Sequence, residues 1–268
     1  MKKVVFITGI SSGFGKCTAE YLSQKGYVIY GTSRRAIEGS NHINVLKAEV
    51  TDVVSVKAAV ETIIQREGRI DVLINNAGMG ISGPIEFSSV ENIRLQMDTN
   101  FMGMVHVIQA VLPAMRKQGN GTIINISSIG GLMGLPYQGF YSASKFAIEG
   151  MSEALRMELK PFHINVVVIR PGDFFTSFTS NRKIDTDLNN TNPYQEQSRK
   201  TLSIIETDER RGMKPEYLAR KLGKIIEMKN PSPNYVIATL EQKFAVVLKR
   251  ILPVSLFSAI LGSHYGIK

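Results

Sequence analysis

Residues 3–15 read KVVFITGISSGFG, an apolar run followed by a turn that contains Gly9, Gly13 and Gly15. The apolar run has the length and composition of a fully buried strand, and the residues after the glycines have the apolar periodicity of a helix. A strand, a glycine-rich turn and a helix in immediate succession form the first half of a βαβ unit. This stretch therefore predicts an α/β protein.

Short apolar runs alternate with helical patterns along the rest of the chain. We predict strands over residues 3–8, 27–32, 43–48, 71–75, 121–127, 164–170 and 235–238, and helices over residues 14–24, 54–66, 90–117, 141–159 and 215–228. Because the strands are apolar throughout, they suit a parallel sheet that helices cover on both faces. Right-handed crossovers then build a Rossmann-type, doubly wound, seven-stranded parallel sheet in a single domain, residues 1–268.

Two segments depart from this alternation. Residues 174–212 are polar, rich in Asn, Thr and Asp, and weakly periodic, so we interpret them as an irregular substrate-binding loop or lid. Residues 243–268 contain Lys243, Lys249, Arg250 and Lys268, no acidic residue, and apolar residues in between. This tail is either an amphipathic helix at a membrane surface or a segment that packs on the substrate pocket or a second subunit.

Composition and charge exclude several classes of protein. With 268 residues, of which 43% are hydrophobic and 21% charged, the chain can bury a sizeable core and is not expected to be disordered. The single cysteine, Cys17, excludes an internal disulfide framework, and no Cys/His cluster has metal-site spacing. The net charge of +9 (32 basic minus 23 acidic residues) comes from scattered residues, so no nucleic-acid partner is expected. Neither a signal peptide nor a long apolar span is evident, which favours the cytoplasm and leaves membrane association open.

The glycine turn has the features of a dinucleotide-binding site. Gly9 permits the tight turn, Gly13 lets the backbone approach a pyrophosphate, and Gly15 allows close contact between helix and strand. The helix N-terminus offers unpaired N–H groups and a partial positive charge to the phosphates. Further predicted contacts come from the turn itself and from small residues after the fourth strand: Ser11, Ser12, Phe14, Asn76, Ala77 and Gly78.

The residues after the second strand predict NADP(H) as the cofactor. Residues 30–35 read YGTSRR and contain no carboxylate to accept hydrogen bonds from the free ribose hydroxyls of NAD. An arginine fork matches a 2′-phosphate, and we favour Arg34 over Arg35, with Ser12 and Ser33 as helpers. Asp52 has two interpretations: a hydrogen bond with the adenine amino group, or an N-cap of the following helix.

Residues 141–145 read YSASK and place a tyrosine and a lysine on one helix face. We predict that Tyr141 is the acid–base group, and that the Lys145 ammonium lowers the pKa of its phenol and holds the nicotinamide ribose. Ser128 would hydrogen-bond the substrate oxygen, and Asn100 would hold a water that links Lys145 to solvent. Together these groups indicate hydride transfer between a carbonyl and an alcohol carbon, with no metal.

These motifs, in this order and at these separations, closely resemble the single-domain branch of the short-chain dehydrogenase/reductase family over about residues 3–176. The resemblance implies a catalytic set of Asn100, Ser128, Tyr141 and Lys145. It adds a Pro-Gly-x-x-x-Thr element beside the nicotinamide, with Pro171, Gly172 and Thr176. It also implies a homodimer or homotetramer formed through helices 90–117 and 141–159.

The segment 128–136, SIGGLMGLP, and the tail segment 250–253, RILP, are similar to hydroxysteroid and retinol dehydrogenases. Five apolar side chains would flank the hydride site, although some are equally candidates for the core: Met133, Leu135, Phe174, Phe175 and Phe178. They favour reduction of an apolar, steroid-, retinoid- or lipid-like carbonyl compound. Two alternatives remain. A nucleotide-sugar epimerase or dehydratase tends to have a different glycine spacing, and a non-catalytic NADP-sensing protein typically lacks the tyrosine or the lysine.

Overall fold

The computed structural model describes residues 2–34, 43–185 and 192–267. Its strands are β1 (Val4–Ile7), β2 (Val28–Ser33), β3 (Ile43–Lys47), β4 (Val72–Asn75), β5 (Ile81–Ser82), β6 (Gly121–Ile126), β7 (Ile164–Pro171), β8 (Lys183–Ile184) and β9 (Asn234–Ile237). Its α-helices are α1 (Gly13–Gln24), α2 (Val53–Glu67), α3 (Val90–Met97), α4 (Gly103–Gln118), α5 (Gly139–Leu159), α6 (Ser177–Ser180), α7 (Gln195–Arg211), α8 (Pro215–Glu227), α9 (Leu240–Ile251) and α10 (Val254–His264).

Seven strands form one parallel sheet in the order β3-β2-β1-β4-β6-β7-β9, and β5 pairs with β8 separately. The chain builds the sheet outward from β1 in one direction and then from β4 in the other. The connections after these two neighbouring strands therefore diverge and leave a crevice at their carboxyl ends. The predicted doubly wound fold is confirmed, and the glycine turn lies at this crevice.

Two apolar layers cover the sheet, as the uninterrupted apolar strands predict. Val4 and Phe6 of β1 belong to the cluster that α2, α4 and α5 complete. Val5 and Ile7, which point to the opposite face, belong to the cluster that α1 and α8 complete. A strand that is buried on both faces exposes no face to water, so polar and apolar residues do not alternate along its sequence.

The helix predicted over residues 90–117 is interrupted. The π-helical turn Asp98–Met102 separates α3 from α4. A π turn adds a residue to the helical repeat and changes the direction in which the following side chains point. The residues of this turn include neither glycine nor proline, so the sequence alone did not reveal the break.

The polar segment 174–212 is more regular than predicted, since it contains α6, β8 and the 17-residue helix α7. Helix α7 buries Ser198, Thr201, Leu202 and Ile205 at helical spacing. Two of these four residues are small and polar, and this hides the periodicity from a hydrophobicity pattern. The prediction of an irregular loop was therefore wrong for this part.

The tail forms the two helices α9 and α10, which pack against each other. A capping box begins α9: the Gln242 N–H bonds to the Thr239 hydroxyl, and the Gln242 side chain bonds back to the Thr239 N–H. Among the described residues, no helix has both the length and the apolar character needed to cross a membrane.

Candidate active site

The glycine turn between β1 and α1 leaves room for a phosphate group. Gly9 and Gly13 have φ angles of 72° and 54°, in the left-handed region that favours glycine. A Cβ atom on Gly15 would lie 2.2 Å from the Gly9 carbonyl oxygen, so a larger residue would require the backbone to move. Ser12, the N-cap of α1, makes no side-chain cap, and the first turn contains no acidic residue. The N–H groups of this turn therefore remain available to an anion.

Asn76 and Thr8 hold this turn in place. Asn76 Nδ2 donates to the carbonyl oxygens of Thr8 at 2.9 Å and of Gly9 at 3.0 Å. The Thr8 hydroxyl accepts hydrogen bonds from the N–H groups of Asn76 and Ala77, both at 3.0 Å. The structure thus brings the predicted residues Asn76 and Ala77 to the glycine turn, and it adds Thr8. The sequence feature that could have predicted this role of Thr8 is the position of a threonine immediately before Gly9.

The residues that would read the ribose lie at the ends of β2 and β3. Arg34 follows β2, with its side chain 74% exposed and its Nη1 atom 3.9 Å from Glu49 Oε1. Ser33 is buried beside it, and Arg35 lies outside the described residues. Asp52 accepts a hydrogen bond from the Val54 N–H at 2.9 Å, so of its two interpretations the helix cap is present.

Tyr141 and Lys145 lie one turn apart on α5; the Lys145 side chain is buried and Tyr141 is partly exposed. The Lys145 Nζ atom is 5.7 Å from the centroid of the Tyr141 ring, and it donates to the carbonyl oxygen of Ile126 at 2.9 Å. Ser128 follows β6, and its Oγ atom accepts a hydrogen bond from the Gly130 N–H at 3.0 Å. Because that oxygen is already an acceptor, its own proton can be donated to a group beside Tyr141.

Asn100 lies in the π-helical turn, buried beside the catalytic helix. Its Oδ1 accepts from the Met79 N–H at 2.8 Å, and its Nδ2 donates to the Met79 carbonyl oxygen at 3.0 Å and to Ser144 Oγ at 3.1 Å. The Ser144 hydroxyl donates in turn to the Tyr141 carbonyl oxygen at 2.7 Å. A Cβ on Gly78 would lie 3.3 Å from Asn100 Oδ1, so the segment after β4 passes close to this amide. Ser144, to which the sequence assigned no role, therefore joins Asn100 to α5.

Burial dominates the electrostatics at Tyr141 and Lys145. Burial raises the pKa of Tyr141 to about 12, although a hydrogen bond with Ser128 lowers it in part. Burial also lowers the pKa of Lys145 to about 8. Burial therefore sets the direction of the pKa shift at both groups, and the predicted lowering of the phenol pKa by the Lys145 ammonium stays a prediction.

Two of the predicted substrate contacts are core residues. Met133 is buried in an apolar cluster with Val246 of α9 and Phe257 of α10. Phe174 is buried as well, and its ring meets the edge of Phe14 at a centroid distance of 4.9 Å. The first turn of α1 therefore packs through Phe14 against Phe174. Met133 packs the loop that contains Ser128 against the two helices of the tail.

The other predicted substrate contacts are more accessible. The Phe178 ring lies 5.7 Å from the Tyr141 ring, centroid to centroid, and both Phe178 and Leu135 are partly exposed. Phe175 is exposed, and no ring contact joins it to Tyr141 within the part of the chain that the structure describes. Phe178 and Leu135 are therefore the members of the predicted set that best fit a substrate wall.

The Pro-Gly-x-x-x-Thr element closes the same crevice. Pro171 ends β7, and a Cβ on Gly172 would lie 2.1 Å from Gln242 Oε1, so α9 packs directly on this glycine. Thr176 accepts from the Phe178 N–H and begins α6, and its Cβ lies 3.7 Å from the position of a Cβ on Gly13. The element therefore adjoins the glycine turn, and the contact with the nicotinamide that the resemblance implies stays a prediction.

A buried set of charged residues near Tyr141 was not predicted. The side chain of Arg182 is paired with Glu209, and its guanidinium lies 5.8 Å from the Phe178 ring centroid. The Thr179 hydroxyl donates to Glu209 Oε2 at 2.6 Å. These residues belong to segment 174–212, where a hydrophobicity pattern gives no signal for a buried ion pair.

Asp173 is the most perturbed carboxyl group of this region. Burial, with the negative charges of Glu209 and Asp208, raises the pKa of Asp173 to about 7. Its Oδ2 accepts a hydrogen bond from Gln242 Nε2 at 2.6 Å, and its N–H donates to Gln242 Oε1 at 3.2 Å. The loop after β7 is thereby attached to α9.

Fold and site together define a nucleotide-binding oxidoreductase of the Rossmann type. A family model described as short chain dehydrogenase matches residues 3–187, and the chain belongs to this family. Among solved structures, a short-chain dehydrogenase from Streptomyces avermitilis superposes with a TM-score of 0.83, at 27% identity over 98% of this chain and 97% of that one.

One curated relative extends the likeness to nearly the whole chain. A 3-ketodihydrosphingosine reductase of Bacteroides thetaiotaomicron is 48% identical over 266 residues, which cover 99% of either protein. Human 17-beta-hydroxysteroid dehydrogenase type 1 is 38% identical over 193 residues, 66% of this chain and 58% of that protein. The first similarity includes the segment 174–212 and the tail, where substrate recognition was predicted to lie.

Proposed function

We propose that this protein is an NADPH-dependent reductase of long-chain, apolar ketones, of which 3-ketodihydrosphingosine is the first to test. The observation that carries the proposal is that the Tyr141 phenol, the Ser128 hydroxyl and the Lys145 ammonium come together: Tyr141 hydrogen-bonds with Ser128, and Lys145 Nζ lies 5.7 Å from the Tyr141 ring centroid. The relative that is 48% identical over nearly the full length, and is named for this ketone, supports the substrate class.

The residues perform the reduction in a simple order. The Ser128 hydroxyl donates a hydrogen bond to the ketone oxygen, which makes the carbonyl carbon more electrophilic. When bound, the reduced nicotinamide supplies the hydride to that carbon. Tyr141 then gives its phenolic proton to the oxygen, which becomes the alcohol, and the Lys145 ammonium stabilises the resulting phenolate. Asn100 Oδ1 keeps a lone pair for a water that can return the proton.

The raised pKa of Tyr141 suits reduction. At neutral pH a phenol with a pKa of about 12 is protonated, which is the state that a proton donor requires. Lys145, with a pKa of about 8, still carries most of its charge at pH 7. The reverse reaction would need the phenolate before the alcohol binds, and burial disfavours it.

The glycine turn fits a dinucleotide, and Arg34 supports NADPH over NADH. The crevice between β1 and β4 is shaped by glycines whose replacement would fill it, and the N-terminus of α1 lacks a side-chain cap. The Nη1 atom of the exposed Arg34 lies 3.9 Å from Glu49 Oε1. An ion pair of this length at the surface contributes little to stability, because water screens the charges. A doubly charged phosphate would compete well for Arg34.

Replacement of Arg34 tests this preference. We expect the unchanged protein to bind NADPH at least about tenfold more tightly than NADH, and Arg34→Ala to remove most of that difference, because a charge-assisted hydrogen bond contributes about 1.5–3 kcal/mol. NADH binding should not change. Fluorescence titration of both cofactors measures the effect, with Arg94→Ala as a control on an exposed arginine of α3. Equal affinities of the unchanged protein for the two cofactors would refute the assignment.

Phe178 and Leu135 favour an apolar substrate, and segment 174–212 would cover it as a lid.

The exposed side chains Phe146 and Met157 of α5 support a second copy of the chain as a neighbour, in a homodimer or homotetramer. Asp52 can add an adenine contact with the carboxylate oxygen that does not cap α2.

Turnover of a carbonyl panel tests the proposed reaction. The purified protein would be supplied with NADPH and, in turn, 3-ketodihydrosphingosine, a steroid ketone and retinal, while the absorbance of NADPH is followed. We expect the fastest oxidation with the long-chain ketone. No oxidation with any carbonyl, despite NADPH binding, would support a cofactor-sensing protein. Conversion of a nucleotide sugar without net loss of NADPH would support an epimerase.

A further inference from the structure

The C-terminal hairpin of α9 and α10 presents an exposed apolar face. On α9 the outward residues recur at intervals of four, three and four, which places them on one side of the helix. They are Leu240 at 83% exposure, Phe244 at 62%, Val247 at 51% and Ile251 at 68%. Val254, Leu256 and Ile260 continue the exposed apolar surface onto α10. A contiguous patch of large apolar side chains on a folded surface indicates an interaction site.

The opposite side of the hairpin is firmly packed. Val246 and Phe257 are buried against Met133, in the loop that follows Ser128. Just after α10, the Tyr265 carbonyl oxygen accepts a hydrogen bond from the Thr201 hydroxyl at 3.1 Å, which joins the hairpin to α7. The apolar face is thus held in a fixed position over the substrate side of the protein.

Basic residues border this face. Lys243 and Arg250, seven residues apart on α9, lie along one edge of the apolar stripe. Lys249 lies on the packed side of the hairpin, with its Nζ atom 5.2 Å from the ring centroid of the buried Phe257. Next to Lys243, a groove of about 180 Å³ between α8 and β9 is lined by Lys221 and Lys224, together with tyrosine and aliphatic side chains and no acidic residue. Glu241 is the acidic residue of α9.

We propose that the hairpin docks on the surface of an anionic lipid bilayer, with its apolar face at the level of the acyl chains and its lysines and arginines on the headgroups. Apolar burial together with attraction to anionic lipids is what holds such helices at an interface. At 1.5 Å per residue, α9 is about 18 Å long, against about 30 Å of hydrocarbon, so it lies on the bilayer and does not cross it.

The charges favour a bilayer over a second copy of the chain. A two-fold contact between two such faces would double the local positive charge of Lys243 and Arg250, with Glu241 of each copy as the acidic residue that α9 sets against it. An anionic surface neutralises the same residues. Docking would also place the Ser128 loop, which packs beneath the hairpin, next to a reservoir of lipid ketone.

Co-sedimentation of the full chain with vesicles tests the proposal without any measurement of turnover. We expect the protein to bind vesicles of phosphatidylcholine mixed with phosphatidylglycerol, and to bind phosphatidylcholine alone much more weakly. Phe244→Ser combined with Ile251→Ser should reduce binding by at least about tenfold, because two large side chains no longer enter the apolar layer. Val54→Ser combined with Val90→Ser, which removes exposed apolar side chains from α2 and α3, should leave binding unchanged.

Thermal unfolding and NADPH affinity show whether the variants are folded. If the serine pair unfolds the protein, Lys243→Glu combined with Arg250→Glu replaces it, and this variant should lose binding to the anionic vesicles. The proposal is overturned if the unchanged protein binds neither kind of vesicle, or if folded variants bind as well as it does. It is also overturned if the variants convert an oligomer to monomers without affecting vesicle binding, since the face would then be a subunit interface.

Discussion

Replacing Tyr141 with phenylalanine is expected to lower kcat for ketone reduction by about 10³-fold, because a positioned general acid contributes about 10²–10⁴-fold. The substitution removes one hydroxyl from a partly exposed side chain and leaves its ring against Phe178, so the fold and the glycine turn should be unaffected. We expect the Kd for NADPH to change by less than about threefold, since the lost group acts on the reacting oxygen. Steady-state turnover and a fluorescence titration measure the two quantities on the same protein.

Tyr137→Phe is the matched control for this change. It removes the same atom four residues earlier, from a side chain at the start of the segment that leads into α5. That variant should retain nearly full turnover. If Tyr141→Phe retains it too, the proton comes from elsewhere and the proposed role of Tyr141 is wrong. If NADPH binding is lost together with turnover, the hydroxyl has a binding role that the geometry does not indicate.

Gly15→Ala is expected to have the second large effect, on stability and on cofactor binding together. The added Cβ would lie 2.2 Å from the Gly9 carbonyl oxygen and 2.5 Å from Asn76 Nδ2. Neither neighbour can move without breaking the hydrogen bonds that hold the turn, so the backbone of α1 must shift. We expect a loss of about 1–3 kcal/mol in the free energy of unfolding, as for other overpacked sites, and NADPH affinity reduced at least about tenfold.

Gly150→Ala supplies the control for this glycine. It lies within α5, and a Cβ there would meet no heavy atom within 4 Å. Alanine in a helix interior is more stable than glycine by about 0.5–1 kcal/mol, so this variant should unfold at higher urea concentration and bind NADPH normally. If Gly15→Ala behaves like Gly150→Ala, the close packing of the glycine turn has been misjudged.

Much of the fold follows from local patterns in the sequence. All seven strands of the main sheet lie where apolar runs were predicted, because a strand buried on both faces must be apolar throughout. The helix over 90–117 was predicted as one piece, because the π turn Asp98–Met102 contains neither glycine nor proline to mark an interruption. Helix α7 was missed because Ser198 and Thr201 occupy two of its buried positions.

The candidate site, like the fold, contains residues that the sequence identified and contacts that it did not. The sequence identified Ser128, Tyr141 and Lys145 as residues that belong together, and the structure brings them together. Their roles, and the other assigned contacts with cofactor and substrate, stay predictions until variants are measured. Contacts that depend on three-dimensional packing were not visible: Met133 and Phe174 are core residues, and Arg182 with Glu209 forms a buried pair near the site.

The sequence by itself determined the order of strands and helices, the glycine turn and the residues able to move a proton. Each of these depends on residue type and short-range spacing. Only the tertiary structure decided the direction of the pKa shift at Tyr141, the burial of Met133 and Phe174, and the direction of the apolar face of α9. Those properties depend on which groups remain in contact with water after the chain has folded, and segments far apart in the sequence set that together.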